Sequence, residues 1–422
     1  MVDPVGRLAE TVRIEGARIL ATLIRTAGSL PVAEDAVQDA IVSALREWPR
    51  SGIPSEPRAW LTVVARRKAI DALRREAARE AKERDSADLL NLATADLPSD
   101  AAVRDDQLRL IFTCCHPALA TEAQVALTLR TLCGLSTAQI AAVLLMTESA
   151  MAKRLTRTRQ KIVAARIPYR IPTEAELPTR LTAVCGVIHA LYTTGHAPIT
   201  GAAVVDVDAC AEAIRLGRLV VELLPDEPQP AAVLALLLLS DARRRARADD
   251  AGDVVLLSDQ DRSLWDREQI VEGYALLDSS LRRSRGIADP YQLQAAIAAE
   301  HARSPSYAET DWREIVRLYD LLLNVAPSRA VQLNRAVAVA EATGYASGLA
   351  ALASIAPSPR WHAVRGELLA RGGQYAEAVE ATTAALAGEL TAPERRYRER
   401  RIAEWTASMS NPAGGGSTGK QS

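Results

Sequence analysis

Two runs of cationic side chains are the residues of this sequence best suited to chemistry with a partner. From Arg58 to Arg84 nine basic residues (Arg58, Arg66, Arg67, Lys68, Arg74, Arg75, Arg79, Lys82, Arg84) stand against four acidic ones, and from Lys153 to Arg170 seven basic residues face no acid. Cationic groups spaced along a helix neutralise phosphates and release counterions, the sequence-independent part of binding to a duplex. The whole chain carries 51 Lys+Arg against 52 Asp+Glu, so the signal lies in the distribution of charge and not in its total. Between the two runs, Asp85 to Asp106 holds six Asp and one Arg, with Pro98 and Ser99 near its end, and reads as a flexible acidic linker.

A second constellation suits different chemistry. Asp259, Asp261, Trp265 and Asp266 cluster with Arg262 and Arg267, and Tyr291, Gln292, Gln294 and His301 share one short helix. Paired carboxylates can exchange protons with a substrate. The same pattern also serves as an interhelical salt-bridge network, and that is the reading adopted. No glycine-rich phosphate loop, nucleophile elbow or HExxH accompanies the cluster, so no catalytic residue is assigned, no enzyme is expected and no cofactor is called for. His189, His196 and His362 read as packing or capping residues. The five cysteines (Cys114, Cys115, Cys133, Cys185, Cys210) form no CxxC pair, and Cys114, Cys115 and His116 lack a second ligand pair at zinc spacing. They read as small buried hydrophobes, with no metal site.

The elements that must position these residues are helices. Apolar residues recur at i, i+3, i+4 and i+7 between breakers, and strict alternation is hard to find, so the fold class expected is all-α. With 422 residues, 48% of them hydrophobic, the chain is long enough for two or three domains and too apolar for general disorder. The longest apolar run, Ala231 to Leu239, is too short for a membrane span, and the start lacks an apolar signal core; a cytoplasmic location is expected. Ile167 to Pro178, with three prolines, reads as a second linker, and Asn411 to Ser422 as a low-complexity tail.

Ala33 to Arg50 forms an amphipathic helix with Ala36, Val37, Ala40, Ile41, Ala44 and Leu45 inside and Glu34, Asp35, Gln38 and Asp39 outside, stopped by Pro49. Pro57 to Glu76 forms another, burying Trp60, Leu61, Val64, Ala65, Ile70 and Leu73 under an exposed stripe of Arg66, Arg67, Lys68, Arg74 and Arg75. From Leu132 to Ile162, Gly134 breaks a helix and Ser136 caps the next, which buries Leu135, Ile140, Ala141 and Leu144. Thr147 caps a further helix after a turn at Leu145 and Met146. Ala150, Leu155 and Ile162 face inward there, and Ser149, Lys153, Arg154, Arg157 and Arg159 lie on other faces. This is helix-turn-helix spacing, in which the second helix meets base edges and phosphates.

The acidic EDAVQDA helix, the W-L-x(3)-A-R-x(3)-D-x-x-R-R helix, the acidic linker and a helix-turn-helix ending in K-R-L-x-R-x-R together resemble a bacterial sigma factor of the extracytoplasmic-function class, over Arg7 to Arg166. The resemblance implies two small helical modules: region 2 over 5–84, and region 4 over 106–166 beyond a linker at 85–105. It implies core RNA polymerase as partner, with Asp35, Gln38 and Asp39 on the β′ clamp helices and the second module on the β flap. Promoter DNA is the other partner: Arg66, Arg67, Lys68, Asp71, Arg74 and Arg75 at the −10 element, and Thr147, Ser149, Lys153, Arg154 and Arg157 at the −35 element. Many family members carry Asn where Arg67 or Lys68 stands, so base preference at −10 does not carry over.

Beyond the linker at 167–178, residues 179–408 resemble the long helical extension of one subgroup of that class. Gly366, Ala378 and Ala385 fall at tetratricopeptide spacing with Gly373 and Tyr375 at the turn, while Thr382 replaces the usual aromatic, so a degenerate repeat is expected. Stacked hairpins of this kind offer a concave surface for a regulatory protein or an intramolecular contact. Residues 409–422 form the tail. The expected function is a sigma factor controlled or supported by its own C-terminal domain; the rival reading is a helix-turn-helix regulator that binds DNA without polymerase.

Overall fold

The computed structural model describes residues 3–79, 100–144, 146–198, 201–284, 286 and 288–410. Helices account for the regular structure, and among the described residues there is no strand beyond a single bridge between Ala248 and Val254. The chain divides into two compact units, Met1–Ala190 and Leu191–Ser422.

In the first unit, α1 (Pro4–Ala27) is capped by Asp3, whose carboxylate accepts the Val5 and Gly6 amides at 3.0 and 2.9 Å. It packs on α2 (Leu30–Ser51) and α3 (Pro57–Arg79). Ala33, Ala36, Ala40, Ala44 and Trp48 form the buried stripe of α2, small residues that let the helices approach closely, and Trp48 meets Trp60 of α3 edge-on at 5.7 Å. Pro49 does not stop α2: the helix runs on to Ser51, because so near its end the proline removes only one internal hydrogen bond.

The chain resumes with α4 (Asp100–Cys114), so the last residues expected in the acidic linker are helical; residues 85–99 lie outside the described ones. Then come α5 (Thr121–Thr131), α6 (Thr137–Val143), α7 (Glu148–Ala164) and α8 (Leu177–His196). The division between the units falls inside α8, not in the proline-rich stretch before it. Tyr169 in that stretch is half-buried, and its hydroxyl donates towards the carbonyls of Ala21 and Asp106. All five cysteines are free and buried.

The second unit begins with the end of α8 and continues through α9 (Val207–Leu223), α10 (Pro228–Asp241), α11 (Arg267–Arg283), α12 (Pro290–Arg303), α13 (Trp312–Val325), α14 (Arg329–Thr343), α15 (Tyr345–Leu352), α16 (Pro359–Arg371), α17 (Tyr375–Ala385) and α18 (Ala392–Ser410). The apolar run Ala231 to Leu239 is the buried body of α10, against which α11 and α12 pack. From α12 onward each helix packs on its successor. Gly366 allows α16 and α17 to touch: a Cβ added there would run into Thr382 Oγ1, and Ala378 and Ala385 are fully buried in the same hairpin. The C-terminal helix returns to the start of the unit. The Ala392 amide donates to the Gly201 carbonyl at 2.8 Å, and Asp253 pairs with Arg396 and Arg400 at 2.6 and 3.0 Å. The tail at 411–422 lies outside the described residues.

Candidate nucleic-acid interface

The helix-turn-helix forms because three local signals agree. Gly134 adopts φ +68°, a left-handed turn that closes α5, and Ser136 and Gln139 cap α6 reciprocally, with Gln139 N to Ser136 Oγ at 3.2 Å and Ser136 N to Gln139 Oε1 at 2.9 Å. Thr147 Oγ1 then accepts the Ala150 amide at 3.3 Å and starts α7. Met151, Leu155, Thr158 and Ile162 are the buried face of α7. The expected inward position, Ala150, is only half-buried, and Met151 beside it was missed because it directly follows Ala150 within one turn.

On the other face Thr147, Ser149, Lys153 and Arg157 are exposed and Arg154 half-buried. Lys153, Arg154, Arg157 and Lys161 border a recess of about 390 Å³ whose floor includes Leu119, Ala123 and Met146. Four cations along one helix, beside an apolar floor, can hold a phosphodiester backbone while the first turn stays open.

Helix α3 carries the other basic run. Arg67, Lys68, Asp71, Arg74 and Arg75 are exposed, but Arg66 is buried, with only 8% of its surface accessible. The expected exposed stripe is corrected at this position: Arg66 lies in line with Thr62, Ala65, Ala69 and Ile70, where its aliphatic stem packs inward. Arg79 falls where only the backbone is described, and Lys82 and Arg84 outside the described residues.

On α2, Asp35, Gln38 and Asp39 are exposed as expected. Glu34 is not: it is buried at 6% exposure and pairs with Arg159 of α7 at 2.7 Å, while Leu45, expected inside, is 45% exposed. Burial raises the Glu34 carboxyl above its usual range, and Arg159 acts against that rise. Glu34 is covered by α7, whereas Leu45 opens onto a cleft of about 460 Å³ between α2 and the α5 to α6 turn that Gln38, Ile41, Arg130 and Leu135 also help to line. At the edge of α4, buried Asp106 is held by Arg25 at 3.0 Å and Arg109 at 2.8 Å.

Among the described residues the carboxylate cluster of the second unit forms no salt-bridge network. Asp261 caps the 3-10 turn Arg262–Leu264 by accepting the Ser263 amide, and Asp266 caps α11 by accepting the Gln269 amide. Arg262 instead lies over the Trp265 ring at 4.6 Å and donates to the carbonyls of His301 and Ser304. The aspartates are helix-start residues whose charge favours the amide ends of their helices.

Comparison with known proteins decides what these elements are. Residues 12–79 match sigma-70 region 2, and residues 109–162 match sigma-70 region 4. This chain is an ECF-like sigma factor with a C-terminal extension. The region 2 match spans α1 to α3, and the region 4 match runs from α4 through nearly all of α7. Within the extension, residues 180–281 of the sigma factor match a family of unknown function (DUF6596). An uncharacterized protein of Rhizobium meliloti (strain 1021) is 42% identical over 386 residues, covering 90% of this chain and 91% of its own. No solved structure matches. The two sigma-70 regions give the protein a role in transcription initiation, with core RNA polymerase and promoter DNA as partners. Among the described residues no helix is long and apolar enough to cross a membrane.

Proposed function

We propose that this sigma factor directs core polymerase to its promoters through three surfaces and that its C-terminal unit controls or supports that activity. Asp35, Gln38 and Asp39 of α2 meet the β′ clamp helices, and the second module meets the β flap. Arg67, Lys68, Asp71, Arg74 and Arg75 act at the −10 element, with buried Arg66 holding α3 in place for them. Thr147, Ser149, Lys153, Arg154 and Arg157 act at the −35 element. The observation that carries this reading is the pairing of two exposed cationic helix faces with an exposed acidic helix in matched sigma-70 modules. The Arg159 to Glu34 ion pair ties the −35 helix to the polymerase-facing helix in the free chain, so polymerase engagement of α2 competes with it.

Run-off transcription with core polymerase and the full chain tests the proposal. The double reversal Asp35→Lys and Asp39→Lys is expected to weaken core binding about tenfold or more by inverting charge complementarity. Unaltered core binding removes α2 from the interface, and tight sequence-specific binding without polymerase supports an autonomous regulator instead.

A further inference from the structure

Arginines of the second unit converge where the promoter reading assigns nothing. Arg243 follows α10 and lies one 3-10 turn, Arg244–Ala246, before Arg247. Arg247 donates to the carbonyl of His196 at 2.5 Å, and the His196 ring stacks on Tyr192 at 5.1 Å and shares a 3.0 Å hydrogen bond with its hydroxyl. On the other side the Asp266 amide donates to the Ala242 carbonyl at 2.8 Å, bringing up the segment that carries Arg262, and Arg262 reaches the carbonyl of His301. The order around this belt is thus His196, Arg247, Arg243, Arg262, His301.

The belt lacks negative charge at its centre. Asp241 pairs with Arg244 at 3.4 Å and, with Glu394, acts on Arg247, and Glu309 acts on Arg262. The Arg243 guanidinium makes no hydrogen bond or ion pair among the described residues, and the groups acting on it most strongly are Arg247 and Arg262 together with the hydroxyls of Tyr192 and Tyr319. Buried Arg262 Nη2 and His301 Nδ1 also find no partner among the described residues. The surroundings disfavour positive charge: burial lowers Arg243 to about 10, with Arg247 adding to the effect. His301 falls to about 4 and His196 to about 2 through burial and the neighbouring arginines. Yet Arg243, Arg247, His196 and His301 all keep part of their surface accessible to solvent. Several half-buried guanidiniums, the central one with no carboxylate acting on it, are unfavourable alone and complementary to an oxyanion.

We propose that the C-terminal unit binds the phosphoryl group of a small molecule, with Arg243 as the central contact and Arg247, Arg262 and His301 around it. Divalent phosphate suits three cations better than a singly charged carboxylate does. Half-buried side chains of this kind suit a small ligand better than a polymer. This site is independent of the promoter contacts, and its test needs no polymerase.

Thermal unfolding and calorimetric titration of the full chain with inorganic phosphate, against sodium chloride and acetate at matched ionic strength, decide the matter. Phosphate is expected to raise the melting temperature of the wild type by several degrees and to bind at least tenfold more weakly to Arg243→Met. Without phosphate, Arg243→Met is expected to melt higher than the wild type, because it removes an uncompensated charge. An equal phosphate response in both proteins, or an equal response to chloride, overturns the site; a response to acetate but not phosphate overturns the ligand class. Should the variant fail to fold, the wild-type His301 imidazole serves instead: phosphate is expected to raise its NMR-detected pKa, and an unmoved value overturns the proposal.

Discussion

Lys153 and Arg157 of α7 and Arg67, Lys68, Arg74 and Arg75 of α3 stand exposed along single helix faces, whereas Arg243, Arg247 and Arg262 come from separate turns of the second unit, half-buried and within one another's influence. Exposed cations keep their hydration and act additively at long range, which suits a regular array of phosphates. Enclosed cations lose hydration, press on one another and gain most from one compact anion. The same residue type therefore serves two kinds of partner, and the difference lies in what surrounds it.

The largest expected break in this comparison comes from reversing charge on the open side. Arg154→Glu with Arg157→Glu is expected to weaken promoter binding by the holoenzyme about 100-fold and to reduce its salt slope by about two, read by anisotropy titrations at several salt concentrations. Arg243→Met is expected to leave that binding unchanged. An unchanged slope in the double variant would remove α7 from the phosphate contacts.

Acid should expose the enclosed side next. His301 and His196 are held below the ordinary histidine value of 6.5, so folding favours their neutral forms. That stability is fully present above pH 6.5 and is lost as pH falls from there towards about 4 for His301. At pH 5 the loss at His301 alone is of the order of 2 kcal/mol. Denaturant unfolding at pH 7.5 and 5 measures it, and His301→Gln is expected to flatten the profile; an equally steep profile in that variant assigns the acid sensitivity elsewhere.

A smaller effect distinguishes the helical hairpins of the second unit from its arginine belt. Gly366→Ala brings a Cβ against Thr382, so overpacking of about 1 to 3 kcal/mol is offset by about 1 kcal/mol of helix preference. A net loss near 1 kcal/mol in chemical denaturation is expected, with phosphate affinity retained. A stabilised variant would mean that the hairpin relaxes freely at this contact.

What could be read from the sequence was local. Ser136 and Thr147 sit beside the helices they cap, Gly134 beside the turn it permits, and the helical period of α2 and α3 follows from neighbouring residues. The exposed candidates Asp35, Gln38, Asp39, Lys153 and Arg157 were legible for the same reason. Burial of Arg66 and Glu34 was not, because charge alone suggests solvent, and Glu34 is covered by a helix more than a hundred residues further on. The cationic belt draws on residues from His196 to His301, each unremarkable where it stands. The aspartates near Arg262 misled because a cluster in sequence became separate helix starts in space.

The return of α18 to Gly201 and Asp253 changes the mechanics of the extension. An open helical array can fray from either end, losing one hairpin at a time while the rest persists. In this unit the last helix is fastened to the first segments, so neither end is free to peel without breaking a contact distant in sequence. Unfolding of the extension should accordingly be a single concerted event in hydrogen exchange, and a protease that cuts within α18 should loosen the segment around Gly201 as well.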